Sequence, residues 1–512
     1  MQHPQYHARN TPEKAACVIA NTGETLSYAE LDAASNQLAQ LFYSLGLRPG
    51  DHIAYQMENS ACFLQIAWAA QRSGLIFTPL HSHLRPAEVA YILANSGAQL
   101  FICSPRFLET AQQLNRQTLG VRHWFVSSGD ADGFANLARE MAAQPSRPLA
   151  EQCTGVAMLY SSGTTGQPKG IKPSLPEQAF DELPAIMLGI AGFLGIGSES
   201  VYLTPAPLYH AAPMHSVMAA MALGATVVIM DGFDAELSLA AIEKYRVDCS
   251  QWVPIMFIRL LKLSAQLRSK YDISSLQFAT HAAAPCPESV KRQMIDWWGP
   301  IINEYYAASE GIGMTAIDSA QWLAHPGSVG KPLMGEVHIV GDDGEELPVG
   351  ETGTIYFSGF GDFEYHNEPD KTAGAHHPRG WATVGDMGYV DEEGFLYLAD
   401  RRDFMIISGG VNIYPQEVEN VLIAHPEVAD VAVFGLPDEE FGQTVVAVVQ
   451  AEVGVAADDL LVQRLQRWCR DAISPVKCPR QFFFEAQLPR KDNGKMYKKP
   501  LQEKYRQQAL VG

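Results

Sequence analysis

Apolar and polar residues alternate along this chain with two different periods, and the changes of period mark its elements. Residues 27–47, SYAELDAASNQLAQLFYSLGL, repeat apolar side chains at helical spacing and stop at Gly46, beside RPGD. HIAYQM then alternates as a strand does, and CFLQIAWAAQRSGLIFTPL reads as helix, glycine break and strand. VAYILANSGAQLFICS repeats that order, and AMALGATVVIM, IEKYRVDCSQWVPIMFIRLL and LQFATHAAAP continue it. Strands alternating with helices predict a largely parallel sheet with helices on its faces. No repeat of solenoid period and no low-complexity block interrupts the pattern.

From about Gly335 the texture changes to short β-rich pieces, EVHIVGDDGEEL, GTIYFSG and GYVDEEGFLYLADR. Asp-Gly and Glu-Gly sit where hairpins should turn. Past RRDFMIISGG the chain returns to α/β, with a helix at PQEVENVLIAH, strands at DVAVFGLP and QTVVAVVQAE, and a helix at LLVQRLQRWCRDAI. That final segment of roughly 110 residues is long enough to form a small domain. The expected boundary is Arg402–Asp403, giving domains over 1–402 and 403–512. The predicted fold class is therefore α/β. A large N-terminal domain of mixed sheets flanked by helices, with a β-rich subdomain, precedes a small α+β C-terminal domain.

Composition narrows the function. At 512 residues the chain exceeds a single core, and 47% apolar with 18% charged residues is an ordinary globular profile. The net charge of −20 is spread along the chain, which argues against nonspecific nucleic-acid binding but leaves room for a local basic pocket. Eight cysteines (Cys17, Cys62, Cys103, Cys153, Cys249, Cys286, Cys469, Cys478) lack CxxC spacing and read as thiols in a reducing compartment. MQHPQYHARN lacks the basic-then-apolar build of a signal peptide, and no window offers about 18 consecutive apolar residues. A soluble cytoplasmic protein is expected, with no integral membrane segment and a homodimer as the candidate assembly.

The most unusual stretch is Tyr160 to Gly170, YSSGTTGQPKG, directly after the apolar run VAMLY. A loop of glycines and hydroxyls after a buried strand turns several donors toward one point, which suits phosphate oxygens. Glycine serves where the backbone must approach a ligand closely, and Lys169 adds a mobile charge. A polar surface turn has the same composition. The string is neither GxxxxGK[ST] nor GxGxxG.

The full string resembles the phosphate-loop signature of the adenylate-forming superfamily, which includes acyl-CoA synthetases, peptide-synthetase adenylation domains and beetle luciferases. Companion motifs follow in family order across essentially the whole chain. PLYHAAPM places His210 at the family's aromatic or histidine position, and HAAAPCP (residues 281–287) is similar to the loop that packs on adenine. EYYAASEG resembles the next motif, which implies Tyr306 against adenine and Glu310 on magnesium. WATVGDMG implies Asp386 for the ribose hydroxyls. DRRDFMIISGGVNIYPQEVE implies Arg401 for the ribose, Asp403 as hinge of a mobile C-terminal domain, and Gly409–Gly410 for the thiol step. PRKDNGKMYKK implies Lys495 as the adenylation lysine.

Carried over residue by residue, the resemblance implies His210, Glu310 and Lys495 as catalytic. Nucleotide binding falls to Ser161, Ser162, Gly163, Thr164, Thr165, Gly166, Lys169, Ala282, Ala283, Ala284, Pro285, Glu304, Tyr305, Tyr306, Ala307, Ser309, Asp386 and Arg401. Glu310 and Thr164 are the implied magnesium ligands. Met187, Ala211, Met214, His281, Ala308 and Gly311 are the implied acyl pocket. Four departures stand out: Ala307 replaces a glycine, Ser309 a threonine, Glu304 an Asn or Gln, and His281 a glycine.

The chemistry wants these residue types. A carboxylate activated by ATP must approach a polyanion, so positioned hydroxyls, a lysine and a metal ion neutralise charge building at phosphorus. Singly, Glu310 would be a solvated loop acid, Asp386 a turn former, Lys495 a tail lysine and His210 a rim histidine. No carrier domain follows the terminal motif within this sequence, and SGGVNIYPQEVE is most like acyl-CoA synthetases. The expected activity is an ATP-, magnesium- and CoA-dependent acid–CoA ligase. A stand-alone adenylation enzyme loading a carrier protein and a silent adenylate-binding protein are the alternatives. Lys477, Arg480, Lys498 and Lys499 are candidate partners for CoA phosphates, and a solvated face explains them equally well. No tryptophan lies between Tyr305 and Met314, where acetate-specific relatives close the pocket, so a bulky apolar acid is expected. His281 could meet one distal polar group on that acid.

Overall fold

The computed structural model describes the chain except residues 1, 162–167, 174, 176–178, 360, 362, 402–403, 409–410, 439–440, 491–495 and 512. Two compact units divide it. The first is Met1–Trp252, Lys262–Thr280 and Phe363–Gly374, and the second is Val253–Leu261, His281–Asp362 and Ala375–Gly512.

In the first unit the expected alternation of strand and helix is present. Strands Ala135–Asn136, His123–Val126, Leu100–Cys103, His52–Gln56, Ile76–Pro79 and Val156–Ala157 lie side by side in that order, all parallel. A second group runs Cys249–Trp252, Val201–Thr204, Thr226–Ile229 and Ala15–Ile19, again parallel, with Thr25–Ser27 antiparallel at its edge. The helix expected over 27–47 spans Tyr28–Ser44. Ser27 caps it, its hydroxyl accepting from the Glu30 amide while Glu30 accepts from the Ser27 amide. Such a reciprocal cap satisfies two orphan donors and is worth about 1 kcal/mol. That helix, Ala61–Arg72 and Ala211–Leu223 share one buried apolar cluster containing Leu38, Phe63, Trp68 and Met214.

The second unit opens with antiparallel structure, as the hairpin signals predict. Strands Glu336–Val340, Gly353–Ser358, Asp386–Val390, Leu396–Arg401, Ser328–Met334, Met314–Ile317 and Ile302–Ala307 neighbour one another in that order. Between Asp386–Val390 and Leu396–Arg401 the register slips at Met387/Gly388. A Cβ on Gly388 would lie 2.2 Å from the Tyr397 carbonyl oxygen, so only glycine fits the irregularity beside Asp386.

The C-terminal stretch builds its own sheet, in the order Val411–Ile413, Ile406–Ser408, Gly442–Ala451 and Val428–Asp438, with Gln481–Phe484 parallel to Gly442–Ala451. Helices Pro415–Ile423, Asp459–Ala472 and Lys498–Val511 accompany it. Two buried clusters, one around Val433 and Leu465 and one around Phe434 and Tyr505, draw only on residues from Ile406 onward. A large N-terminal domain is thus followed by a smaller C-terminal one with a core of its own. The expected junction residues, Arg402 and Asp403, lie outside the described residues.

Candidate active site

The glycine- and hydroxyl-rich loop stands on a registered stem. Tyr160–Ser161 pairs antiparallel with Lys169–Gly170, Ser161 facing Lys169 and Tyr160 facing Gly170. Met158 and Leu159 just before it are buried, as the apolar run VAMLY predicts. Tyr160 donates its hydroxyl to Asn95 Oδ1 at 2.5 Å, and burial pushes its phenol pKa upward. A Cβ on Gly170 would lie 2.8 Å from Met158 Cε and 2.9 Å from the Tyr160 ring, so a larger residue here requires those side chains to shift. Lys169 Nζ lies 4.7 Å from the centre of the Tyr365 ring. Ser162, Gly163, Thr164, Thr165 and Gly166 lie outside the described residues.

His210 is the residue preceding helix Ala211–Leu223, held extended at its N-terminus. Its ring meets Tyr209 at 4.6 Å and His81 at 5.5 Å, and His81 meets Tyr209 at 4.5 Å. Asn59 fixes the approach to this helix. Its amide nitrogen donates to the carbonyls of Ala206 and Met230, and its oxygen accepts from the Leu208 amide. Ala211 is half-buried, Met214 is wholly inside the core, and Met187 packs half-buried against the same cluster. His81 and Asn59 carry no local sequence signal; only the fold brings them to His210.

In the second unit the expected nucleotide residues converge. Ile302–Ala307 and Met314–Ile317 form a hairpin with Ala307 opposite Met314, so Ala308, Ser309, Glu310 and Gly311 fall in its turn. The Gly311 amide donates to the Ala308 carbonyl at 3.0 Å. Ala307 and Ser309 are exposed, and Tyr305, Ala308, Glu310 and Gly311 are half-buried. Tyr306 donates its hydroxyl to Asp386 Oδ2 at 2.8 Å. Asp386 in turn faces Arg401 across the neighbouring strand pair. Three residues separated by up to 95 positions in sequence thereby share one corner of the sheet.

Beneath this corner lies a charge cluster that the motifs do not announce. Glu304 shares a strand face with Tyr306, two residues on. Its carboxylate accepts from Lys291 Nζ at 2.5 Å and lies 3.4 Å from His281 Nε2, all three side chains being buried. Burial raises the Glu304 pKa although Lys291 opposes the shift. Burial also holds His281 well below its usual value, reinforced by the Lys291 charge, so the imidazole is neutral. Lys291 Nζ also lies 4.9 Å from the Trp322 ring centre. Helix Glu288–Trp298 supplied a clue: Lys291 falls on the stripe of Val290, Met294, Ile295 and Trp298 that the helix buries. In the loop that follows His281, Ala282 is buried, Ala284 half-buried and Pro285 exposed. Ala283 has φ +75°, a left-handed conformation that costs a residue with a Cβ about 1 kcal/mol.

In the C-terminal domain, Ser408 faces Val411 in the pair that Gly409 and Gly410 connect. Those two glycines, Asp403 and Lys495 lie outside the described residues. Of the candidate CoA partners, Lys477 sits 2.7 Å from Glu417 and Lys498 is buried 2.8 Å from Glu419, so both charges are already matched internally. Arg480 stacks 3.7 Å over the Phe441 ring, and Lys499 is half-buried.

A family model described as AMP-binding enzyme matches residues 4–364, and one described as AMP-binding enzyme C-terminal domain matches residues 417–495. The chain belongs to the AMP-binding, adenylate-forming enzymes. It has curated relatives, at about 30% identity over most of the chain, that are named CoA ligases or synthetases. It is 30% identical to a long-chain-fatty-acid–CoA ligase of Mycobacterium tuberculosis, covering 97% of this chain and 96% of the relative. It is 31% identical to a feruloyl-CoA synthase of Amycolatopsis sp, covering 98% of each. The crystal structure of an anthranilate–CoA ligase with anthranoyl-AMP shares the fold at TM-score 0.85 and 23% identity, over 100% of this chain and 98% of that one. This AMP-binding enzyme is an acid–CoA ligase, and ATP and CoA are the co-substrates of its class. For magnesium, the half-buried Glu310 carboxylate in the hairpin turn suits an ion borne on nucleotide phosphates, which needs only one or two protein carboxylates. Among the described residues no group of three or more His, Cys, Asp or Glu side chains could hold a metal alone.

Proposed function

We propose that this ligase activates a bulky, mostly apolar monocarboxylic acid. An acid oxygen attacks the α-phosphorus of ATP, the bond to pyrophosphate breaks, and acyl-AMP forms. The CoA sulfur then attacks the acyl carbon, the thiol proton passes to solvent, and AMP leaves with the electrons of the broken C–O bond. The reading is carried by the convergence of Tyr306, Asp386 and Arg401, with Tyr306 hydrogen-bonded to Asp386 at 2.8 Å. A ring, a carboxylate and a guanidinium-bearing residue at one sheet corner fit adenine and ribose together.

Tyr306 and the Ala282–Pro285 loop take adenine, with Glu304, Tyr305, Ala307 and Ser309 around them, while Asp386 and Arg401 take the ribose hydroxyls. Ser161, Ser162, Thr164, Thr165 and Lys169 surround the phosphates, with Gly163 and Gly166 allowing close backbone approach. Magnesium would be held by Glu310 and Thr164 and would supply charge neutralisation at the phosphates. Lys495 stabilises the charge developing at the α-phosphorus, and His210 borders the reacting carboxylate. The domain over 403–512 turns about Asp403 between the two steps, presenting first Lys495 and then Gly409–Gly410, whose lack of side chains admits the pantetheine arm.

For the acyl group the motifs imply Met187, Ala211, Ala308 and Gly311, whereas Met214 lies wholly inside the first unit's core and His281 inside the charge cluster with Glu304 and Lys291. Small residues and an adaptable methionine support a large apolar guest. The names of relatives at 30–31% identity, a fatty-acid ligase and a feruloyl-CoA synthase, support a fatty acid or an aryl-propenoic acid, and a polycyclic steroid-type side-chain acid is the third candidate. Eight free thiols support a reducing, cytoplasmic setting, and no described helix is long and apolar enough to cross a membrane. The deciding experiment incubates the protein with ATP, CoA and a panel of acids and reads AMP and acyl-CoA by mass spectrometry. Acetate emerging as the best substrate by kcat/KM would refute the pocket reading. AMP accumulating without any acyl-CoA would refute CoA as the acceptor.

A further inference from the structure

Charge pairs hold the described residues that flank 491–495. Arg490, just before them, donates Nε and Nη2 to the two carboxylate oxygens of the buried Asp430 at 2.5 and 2.6 Å. Lys498, just after them, is buried with Nζ 2.8 Å from Glu419 Oε1. Glu419 also accepts the Val433 amide at 2.7 Å, which fixes its carboxylate to the same strand, Val428–Asp438, that carries Asp430. Backbone contacts close the stem. Arg490 bridges Met496, and the Tyr497 amide donates to the Pro489 carbonyl at 2.8 Å.

Buried ion pairs are an expensive way to hold two segments together, since apolar side chains of similar volume do it as well. What a forked, bidentate pair adds is direction and register. A shift of one residue in this stem is a step of some 3.8 Å along the chain. Misplacement of a reacting group by 1 Å costs on the order of 10²-fold in rate.

We propose that Asp430–Arg490 and Glu419–Lys498 are positioning pairs that hold the terminal motif in the register from which Lys495 serves adenylation. The proposal rests on the reading of Lys495 given above. It predicts a split between half-reactions. Asp430→Asn and Glu419→Gln keep shape and lose charge. Each should slow acid-dependent ATP–pyrophosphate exchange by on the order of 10-fold or more while CoA thiolysis of a supplied acyl-adenylate stays within about twofold. Lys498→Arg should retain exchange, and Lys498→Met should lose it.

Lys495→Ala is measured alongside. If it leaves exchange intact, the role of Lys495 falls, and with it the purpose assigned to the pairs. If it abolishes exchange while Asp430→Asn and Glu419→Gln do not slow it, the positioning proposal alone is overturned. A parallel fall of both half-reactions with Tm in every pair variant would likewise overturn it, leaving the pairs merely structural. Should Asp430→Asn fail to fold, Arg490→Lys keeps the charge and removes the fork, and the same split decides.

Discussion

Removing the cation from the buried cluster beneath the nucleotide corner should produce a loss that depends on pH in a defined direction. Lys291 and Glu304 are both buried, 2.5 Å apart, with His281 3.4 Å from the carboxylate and the Cys286 thiol also within their field. Lys291→Met keeps most of the side-chain volume but strands a carboxylate in an apolar setting. Breaking a buried pair from one side costs about 3–5 kcal/mol. Glu304 already has its pKa raised by burial with Lys291 present, and losing Lys291 raises it further. A raised carboxyl contributes stability below its unfolded value, near 4.3, and loses it as pH rises through the folded value. His281, held low partly by Lys291, regains basicity in the variant and can pair with Glu304 in acid. Both effects make the substitution least damaging at low pH. Thermal unfolding of wild type and variant at pH 5 and pH 8 should therefore show a larger Tm deficit at pH 8, on the order of 10 °C. Adding Glu304→Leu should return most of it, because the double variant buries no charge. A deficit equal at both pH values, or a double variant no better than the single, would refute the reasoning.

Tyr306→Phe removes one hydrogen bond to Asp386 and should raise KM for ATP by roughly 3–10-fold with kcat little changed, as steady-state kinetics would show. Ala283→Gly relieves a left-handed φ of +75° at the cost of a freer unfolded chain, so its Tm should stay level or rise, whereas Ala283→Val should lower it. Asp403→Pro fixes φ at the proposed hinge and should favour one half-reaction over the other when exchange and thiolysis are assayed separately. Ala307→Trp should shift the kcat/KM optimum across an acid series toward shorter acids.

Much of the fold follows from local rules visible in the chain. The helix from Tyr28 begins where Ser27 and Glu30 can cap it, and the parallel strands appear where apolar runs end at glycine breaks. The candidates for the corner proposed to take the nucleotide, Tyr306, Asp386 and Arg401, each sit in a recognisable string. Their meeting depends on strand register across a sheet, which no single string encodes. Glu304 reads in the sequence only as an acid where Asn or Gln is usual, and the structure buries it because Lys291 lies 13 residues away on the inner stripe of the next-packed helix. Asn59 and His81 stayed invisible for a related reason. Each acts on groups more than 100 residues distant, and neither spacing nor period carries information over that range.

Where the chain places its chemistry has a consequence for how such a protein diversifies. Tyr160–Ser161 with Lys169–Gly170, Ala307 with Met314, and Ser408 with Val411 are strand pairs whose connecting segments hold several of the residues proposed to work on the phosphates, the metal and the thiol. Backbone ladders, which are indifferent to side-chain identity, hold those segments by their feet. Their wording can therefore be rewritten by mutation or recombination while the scaffold below keeps its packing, and a transplanted segment of equal length would inherit the same mooring points. The proposed phosphate, magnesium and thiol contacts become exchangeable cartridges, whereas acid preference, which also draws on Met187 and Ala211 on helices, stays with the scaffold.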